Sequence, residues 1–228
     1  MTGVPLPYRR GIGLLGGTFD PIHNGHLAIA EEALGSLGLL EVDFLPASRP
    51  WQKSVLTSVT DRVRMIEVAI AGRPRLRVNL EEVYRPGLTY TIDTLVSLRK
   101  KAGPYMPLVL LMGFDQWTNL TTWRSWELLG DYADIAVFTR TGRGRAGAEP
   151  AALRAWSDGR VVSPELCTSA PCGLVSFFPM APHAASSTEI RAILSGASTA
   201  SGTAKLEGWL PAGVLRYINQ HGLYRPRQ

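Results

Sequence analysis

Short apolar runs alternate along this chain with segments whose apolar residues recur at helical spacing. The clearest run, Pro107 to Gly113 (P-L-V-L-L-M-G), predicts a strand that is buried on both faces. Another run, Gly11 to Gly17, ends in glycines and is followed by a helical pattern from His26 to Leu37. Strands that alternate with helices form βαβ units, in which the strands are parallel. The alternation therefore predicts an α/β fold with a doubly wound parallel sheet.

The same two periods predict the remaining elements. Strands are predicted at Glu41 to Pro46, Arg75 to Val83, Asp134 to Thr139 and Leu174 to Phe178, and helices at Asp61 to Ile70 (with Thr60 as N-cap), Thr91 to Lys101, Trp123 to Leu129, Ser187 to Ser195 and Pro211 to His221. Thr141 to Pro150 is predicted to be an exposed loop and Ser195 to Thr203 a weak connection. We expect a single domain of residues 1–228, with a core at about 10–183 and a helical C-terminal part at about 184–228.

Composition limits the class of protein. With 45% hydrophobic residues the chain can bury a core, and its net charge of +5 suits a polyanionic partner, either a nucleotide or nucleic acid. The basic residues are scattered, so charge does not choose between the two. The longest aliphatic run, Leu108 to Met112, is too short to cross a bilayer, and the N-terminus has no signal-peptide pattern. We expect a cytoplasmic protein without a membrane partner, in which Cys167 and Cys172 are reduced thiols.

Three glycines near the N-terminus, Gly11, Gly13 and Gly16, fit the dinucleotide fingerprint G-x-G-x-x-G. That fingerprint requires a turn leading directly into a helix and an acidic residue at the end of the next strand. Here G-T-F-D-P follows Gly16 and delays the helix, and the next strand ends in F-L-P. The sequence therefore argues against a redox dinucleotide.

The segment Gly16 to Leu27 (G-G-T-F-D-P-I-H-N-G-H-L) has the features of a phosphate site. Paired glycines after a strand leave room for a ligand, and exposed N–H groups there can hold phosphate. His23 and His26 are three residues apart and project from one side of the first helical turn. Gly25 between them, a poor helix former, indicates a close approach to the backbone. A metal site, which lacks a third ligand nearby, and surface or capping histidines are the alternatives to phosphate contact.

This dodecamer resembles the signature of the nucleotidyltransferase superfamily, whose H-x-G-H element is shared with class I aminoacyl-tRNA synthetases. A second element, Ser186 to Arg191 (S-S-T-E-I-R), matches the superfamily's S-S-T-x-I-R at the start of a predicted helix. The two elements lie about 160 residues apart in the expected order. The presence of both elements makes the resemblance to the superfamily more specific than either element would alone.

Further segments resemble the bacterial nicotinate-nucleotide adenylyltransferase family and extend the match over most of the chain. They are Pro46 to Lys53 (P-A-S-R-P-W-Q-K), Thr89 to Leu95 (T-Y-T-I-D-T-L), Gly113 to Asp115, Trp123, the pair Thr139-Arg140 and the C-terminal L-P-A-G-V-L-R-Y-I-N-Q-H-G-L-Y. One departure is the pair Trp51-Gln52, which stands where the family has Pro-His before the lysine.

The resemblance implies a Rossmann-like nucleotidyltransferase fold and adenylyl transfer from ATP to nicotinate mononucleotide, giving deamido-NAD and pyrophosphate. It also implies Mg²⁺, held mainly by substrate phosphates and water. Adenylyltransferases for nicotinamide mononucleotide or pantetheine phosphate, cytidylyltransferases and synthetase-like amino-acid activators remain alternatives. So does a non-catalytic nucleic-acid-binding module, although the sequence lacks its clustered cations and interleaved aromatic residues. We expect no nucleic-acid partner, and a homo-oligomer stays open.

The motif positions also imply roles for particular residues. The catalytic candidates are His23, His26, Lys53 and Arg191; the ATP-binding candidates add Gly16, Gly17, Thr18, Phe19, Asp20, Ser187 and Thr188; the candidates for the second substrate are Thr91, Asp115, Trp123 and Arg140; no protein metal site is expected. The alternatives are a plain N-cap at Ser187, a surface carboxylate at Asp115 and a core indole at Trp123. If Gly17 stays bare so that phosphate can approach, a Cβ there should block ATP more than it destabilises the fold.

Overall fold

A parallel sheet of seven strands forms the framework of the fold. The computed structural model describes residues 10–48, 57–140, 149–181, 183–196 and 202–225. The strands are β1 (Ile12–Gly17), β2 (Glu41–Pro46), β3 (Leu76–Val78), β4 (Leu108–Gly113), β5 (Asp134–Arg140), β6 (Val161–Val162) and β7 (Val175–Met180). Their order is β3-β2-β1-β4-β5-β7-β6, so the strand order reverses between β1 and β4. The predicted doubly wound sheet is confirmed.

Helices cover both faces of the sheet. They are α1 (Asn24–Ser36), α2 (Val59–Ile70), α3 (Thr91–Ala102), α4 (Phe114–Thr118), α5 (Ala151–Ser157), α6 (Ser187–Leu194), α7 (Gly202–Trp209) and α8 (Ala212–His221), with 3₁₀ turns at Leu120–Thr122, Trp126–Asp131 and Pro164–Leu166. The last three helices form the helical C-terminal end that the sequence predicts. Within the described residues, no helix is long and apolar enough to cross a membrane.

Strand β4 is buried along its whole length, which explains its unbroken apolar sequence. Its residue Leu110 pairs with Leu14 of β1 on one side and with Ile135 of β5 on the other. Gly13 of β1 packs closely: a Cβ there would lie 2.8 Å from Leu39 Cδ1. The central glycine of the apparent dinucleotide fingerprint therefore serves packing in the core.

The chain folds into two compact units, each assembled from segments that are distant in sequence. The first unit comprises the described residues within Met1–Leu15, Glu32–Asp43 and Tyr90–Ala181, and the second those within Gly16–Glu31, Phe44–Thr89 and Pro182–Gln228. Leu110 and Val137 belong to the core of the first unit, and Phe44, Met65 and Val214 to that of the second. The single domain expected from the sequence stays a prediction.

Several local predictions are corrected by the structure. Helix α2 begins at Val59 and its N-cap is Ser58 instead of Thr60, because Ser58 Oγ accepts from the Asp61 backbone N–H at 3.0 Å. The strand predicted from Arg75 to Val83 ends at Val78, where the chain turns. The helix predicted at Trp123 to Leu129 is a 3₁₀ turn at Trp126–Asp131. Most of the predicted loop Thr141 to Pro150 lies outside the described residues, but its Glu149 is buried instead of exposed. Part of Ser195 to Thr203 also lies outside them, and α7 begins at Gly202 within that predicted connection.

Candidate active site

The turn after β1 is built around Phe19, in the second unit. Its φ of +50° is uncommon for a bulky residue, and its side chain is 1% exposed. The ring packs edge-on against Phe44 and His26, with centroid distances of 5.5 and 5.0 Å. It also covers Gly17, where a Cβ would lie 2.9 Å from Phe19 Cζ, whereas a Cβ on Gly16 would meet nothing within 4 Å. Of the two glycines, only Gly16 therefore has open space beside its backbone.

Asp20, the next residue of this turn, is held from two distant parts of the chain. Its Oδ1 accepts hydrogen bonds from the Thr57 hydroxyl at 2.7 Å and from the Tyr224 hydroxyl at 2.6 Å. Burial, and then the bond to Asp20, raise the pKa of Tyr224, so the phenol stays protonated and remains a donor. Because Asp20 is 1% exposed, its carboxylate fixes the turn from inside.

A buried guanidinium supports the same turn. Arg62 of α2 is 1% exposed, and its Nη1 donates to the carbonyl oxygens of Thr18 and Ala47, each at 2.8 Å. Its Nη2 donates to the carbonyl of Ser48 at 3.3 Å. Burial lowers the pKa of Arg62, and the nearby charge of Asp20 opposes that shift. Arg62 therefore ties the backbone after β1 to the backbone after β2.

The start of α6 reaches this turn from far along the chain. Arg191 Nη1 donates to the carbonyl of Asp20 at 2.8 Å, and Ser187 Oγ donates to the carbonyl of Pro21 at 3.0 Å. Arg191 Nη2 also contacts Thr188 Oγ1 at 3.4 Å. The two sequence motifs thus meet in space within the second unit, as their predicted joint function requires.

His23 and His26 stack on each other with a centroid distance of 3.7 Å. The backbone N–H of His23 donates to His26 Nδ1 at 3.2 Å, so the proton of the neutral His26 ring is on Nε2. His23 is 7% exposed, and no partner for its Nδ1 occurs among the described residues. Burial, with a smaller effect from the charge of His183, lowers the pKa of His23 from 6.5 to about 4. His23 is therefore neutral at pH 7.

Acid is expected to destabilise the fold through His23. The unfolded chain binds a proton at this imidazole near pH 6.5 and the folded chain only near pH 4, so the stability that the neutral ring contributes above pH 6.5 is lost as pH falls to about 4. The shift corresponds to about 3 kcal/mol. Urea denaturation of the wild type and of His23→Asn between pH 7 and 4 measures this loss.

The difference between the two proteins isolates His23 from other titrating groups. Burial raises the pKa of Asp134 to about 7, so this carboxyl stabilises the fold as pH falls. It does so equally in both proteins, and its effect cancels in the difference. An equal loss of stability in wild type and variant would contradict the assignment.

The first unit contains the other candidates. Thr91 begins α3, whose N-cap Tyr90 provides no side-chain cap. The guanidinium of Arg124 lies 4.8 Å from the centroid of the Tyr90 ring. Because Arg124 follows Trp123 and Tyr90 precedes α3, this contact places the backbone of Trp123 near the start of α3. Asp115 follows β4, and its Oδ1 would lie 2.5 Å from a Cβ on Gly113, so the carboxylate lies against the backbone at the end of that strand.

Known proteins resemble this chain over nearly its full length. The family model described as cytidylyltransferase-like matches residues 14–193. A probable nicotinate-nucleotide adenylyltransferase of Bordetella petrii is 44% identical over 94% of this chain and 98% of its own length. One of Herminiimonas arsenicoxydans is 39% identical over 95% and 97%. The chain belongs to the nicotinate-nucleotide adenylyltransferase family.

The fold of this adenylyltransferase agrees with that of a solved structure. Plasmodium falciparum nicotinic acid mononucleotide adenylyltransferase, complexed with NaAD, superimposes with a TM-score of 0.70 at 16% identity, covering 94% of this chain and 97% of the other. The family resemblance and the fold predicted from the sequence are both confirmed.

The predicted site residues of this adenylyltransferase fall into three groups. The second unit holds those of the two motifs, namely Gly16, Gly17, Thr18, Phe19, Asp20, His23, His26, Ser187, Thr188 and Arg191. The first unit holds Thr91, Asp115 and Trp123. Lys53 and the side chain of Arg140 lie outside the described residues, as do Trp51 and Gln52.

Sequence reasoning missed Thr57, Arg62 and Tyr224, which hold the glycine-rich turn. A signal for Arg62 existed, because it shares a helical stripe with the buried Met65, Ile66 and Ala69 at offsets of three, four and seven. Tyr224 ends the C-terminal segment on which the family resemblance partly rests, but the sequence did not indicate its contact with Asp20.

Proposed function

We propose that this chain transfers the adenylyl group of ATP to nicotinate mononucleotide, releasing pyrophosphate and forming deamido-NAD in NAD biosynthesis. Relatives with 39–44% identity bear that activity in their names. Within the structure, the observation that supports it is the meeting of the two motifs, where Arg191 and Ser187 donate to the carbonyls of Asp20 and Pro21. These contacts bring the N-terminus of α6, which favours anions, to the glycine-rich turn.

The reaction requires no covalent nucleophile on the protein. A phosphate oxygen of the mononucleotide attacks the α-phosphorus of ATP, the bond to the bridging oxygen breaks, and pyrophosphate leaves with that electron pair. Catalysis then consists of positioning the reactants and stabilising charge. In this chain, His26 Nε2–H would donate to the triphosphate and Arg191 would offset its charge, while the N–H groups at the start of α6 bind phosphate oxygens.

The proposed activity is tested by incubating the protein with ATP, Mg²⁺ and a panel of mononucleotides while pyrophosphate is assayed. The panel contains nicotinate mononucleotide and nicotinamide mononucleotide, and pantetheine phosphate is tested beside them as a phosphate monoester that is not a nucleotide. We expect release of pyrophosphate with nicotinate mononucleotide and a strong preference for it in kcat/KM. Equal turnover of the acid and amide forms would contradict the proposed specificity but leave adenylyl transfer intact.

The preference for nicotinate is proposed to arise at the start of α3. The N–H groups around Thr91 and the positive end of the helix dipole favour an anionic carboxylate, whereas an amide would place its own donors against them. Mismatched buried polar groups can discriminate by several kcal/mol. Asp115 is proposed as an acceptor for a ribose hydroxyl.

Removing the indole of Trp123 is expected to weaken both pyridine substrates and to spare ATP. Trp123 is half-buried and would stack on the pyridine ring, which contributes about 1 kcal/mol beyond area burial. Trp123→Ala should therefore raise KM for either mononucleotide at least about fivefold, with KM for ATP unchanged in steady-state assays. Trp209→Ala, which removes a half-buried indole beside Lys205, is the control. An increase confined to ATP would remove Trp123 from the pyridine site.

Several expectations from the sequence stay predictions. They are Mg²⁺ carried on the substrate phosphates, a homo-oligomer, a cytoplasmic location, and the roles of Lys53 and Arg140. Within the described residues, no group of three or more His, Cys, Asp or Glu side chains could hold a metal ion.

A further inference from the structure

A third imidazole lies beside the stacked pair His23 and His26. His183, in the connection between β7 and α6, belongs to neither sequence motif and is half-buried. A Cβ placed on Gly25 would lie 3.0 Å from His23 Nδ1 and 3.5 Å from His183 Nδ1. Three of the four histidines of the chain therefore surround the start of α1.

The hydrogen bond of His183 determines which of its ring nitrogens is a donor. The backbone N–H of Ala185 donates to His183 Nδ1 at 3.1 Å, so in the neutral ring the proton is on Nε2. The imidazole is thus held by its own loop and offers an N–H donor.

The stacked pair contains a buried polar atom that lacks a partner. A Cβ on Gly25 would lie 3.0 Å from His23 Nδ1 and 3.5 Å from His183 Nδ1, so these two rings fill the space that the glycine leaves, and His23 Nδ1, on a side chain that is 7% exposed, has no partner among the described residues. A buried polar atom without a partner is costly unless something bound there satisfies it. The cluster is also next to the turn where Arg191 contacts Asp20.

We propose that His183 is a further ATP-binding residue, which donates a hydrogen bond from Nε2 to the nucleotide bound at the turn between β1 and α1. The inference rests on the proposed function, because it places ATP at the turn between β1 and α1. It adds a contact from the loop that precedes the second motif.

Two amide substitutions separate contact with ATP from support of the loop. Asn can mimic Nδ1 and still accept from the Ala185 N–H, but it lacks the distal donor; Gln places an amide N–H near the position of Nε2. In steady-state assays His183→Asn should raise KM for ATP about tenfold, the effect of one hydrogen bond, with a smaller change in kcat. His183→Gln should stay within about threefold of wild type, and neither variant should alter KM for the mononucleotide.

The control is His221→Asn, because His221 is exposed, stacks on Tyr217 at 4.1 Å and belongs to neither motif. A wild-type KM for ATP in His183→Asn, or equal impairment in both amide variants, would overturn the proposal. His26→Ala is measured in parallel. If it lowers kcat while His183→Asn is normal, only the role of His183 fails; if it too is normal, the proposed site fails.

Competition with inorganic tripolyphosphate and with AMP identifies the acceptor on the nucleotide. A weaker inhibition of His183→Asn by tripolyphosphate would place the acceptor on the phosphates, and a weaker inhibition by AMP alone would place it on the adenosine. Either result supports the proposal, and unchanged inhibition by both would contradict it.

Discussion

His26→Ala is expected to lower kcat about 10²–10³-fold, because this is the usual effect of removing one preorganised hydrogen-bond donor to the charge that develops in the transition state. The ring of His26 is held by stacking on His23 and by the edge contact with Phe19, and its Nδ1 is occupied by the His23 backbone N–H. Its Nε2–H is therefore oriented before ATP binds, and little reorganisation is needed as charge builds on the triphosphate.

Single-turnover and steady-state rates measure this loss, and a thermal melt establishes that the variant is folded. His26→Gln, which retains a distal N–H, should recover part of the rate, and His221→Ala should leave it unchanged. A kcat for His26→Ala close to that of wild type would remove His26 from the catalytic groups.

Valine at Gly16 is expected to abolish measurable ATP binding while changing the free energy of unfolding by less than about 1 kcal/mol, in the range of an ordinary surface substitution. Gly16 is exposed and a Cβ there meets nothing within 4 Å, so the new side chain would occupy only the space through which phosphate approaches the backbone. Calorimetric titration with ATP and urea denaturation measure the two quantities.

Valine at Gly17 is the matched comparison, and it should act mainly on stability. The sequence predicts that a side chain at Gly17 blocks ATP, but the ring of Phe19 fills the space that a Cβ would take. Overpacking of this kind costs about 1–3 kcal/mol. Wild-type ATP affinity in Gly16→Val would show that the nucleotide does not approach this turn.

Much of the sheet could be predicted because the residues of its strands carry their own signal. The predicted bounds of β2, Glu41 to Pro46, are those of the structure, and β4 was evident from its apolar sequence. The signal fails where packing decides the structure. Strand β6 has two residues and α5 has seven, so neither has a period long enough to recognise. Helix α7 begins at Gly202, inside the small-residue stretch Ser195 to Thr203 that favours a connection.

In the candidate site, too, local features could be predicted and long-range contacts could not. His23, His26, Ser187 and Arg191 could be identified because each belongs to a local motif with a physical use. The contacts that hold the turn between the two motifs could not be predicted, since Tyr224 reaches Asp20 across 204 positions of sequence. His183 was missed for a similar reason: its neighbour Gly25 is close only after folding.

The bond between Tyr224 and Asp20 also has a consequence for the order of events during synthesis. A ribosome that has made the glycine-rich turn must add 204 more residues before the phenol that fixes Asp20 exists. At ordinary elongation rates this takes roughly 10–40 s. For most of that interval the nascent chain also lacks Arg191, so the turn is without the groups that complete it. The proposed nucleotide site is therefore completed long after its first residues have been translated.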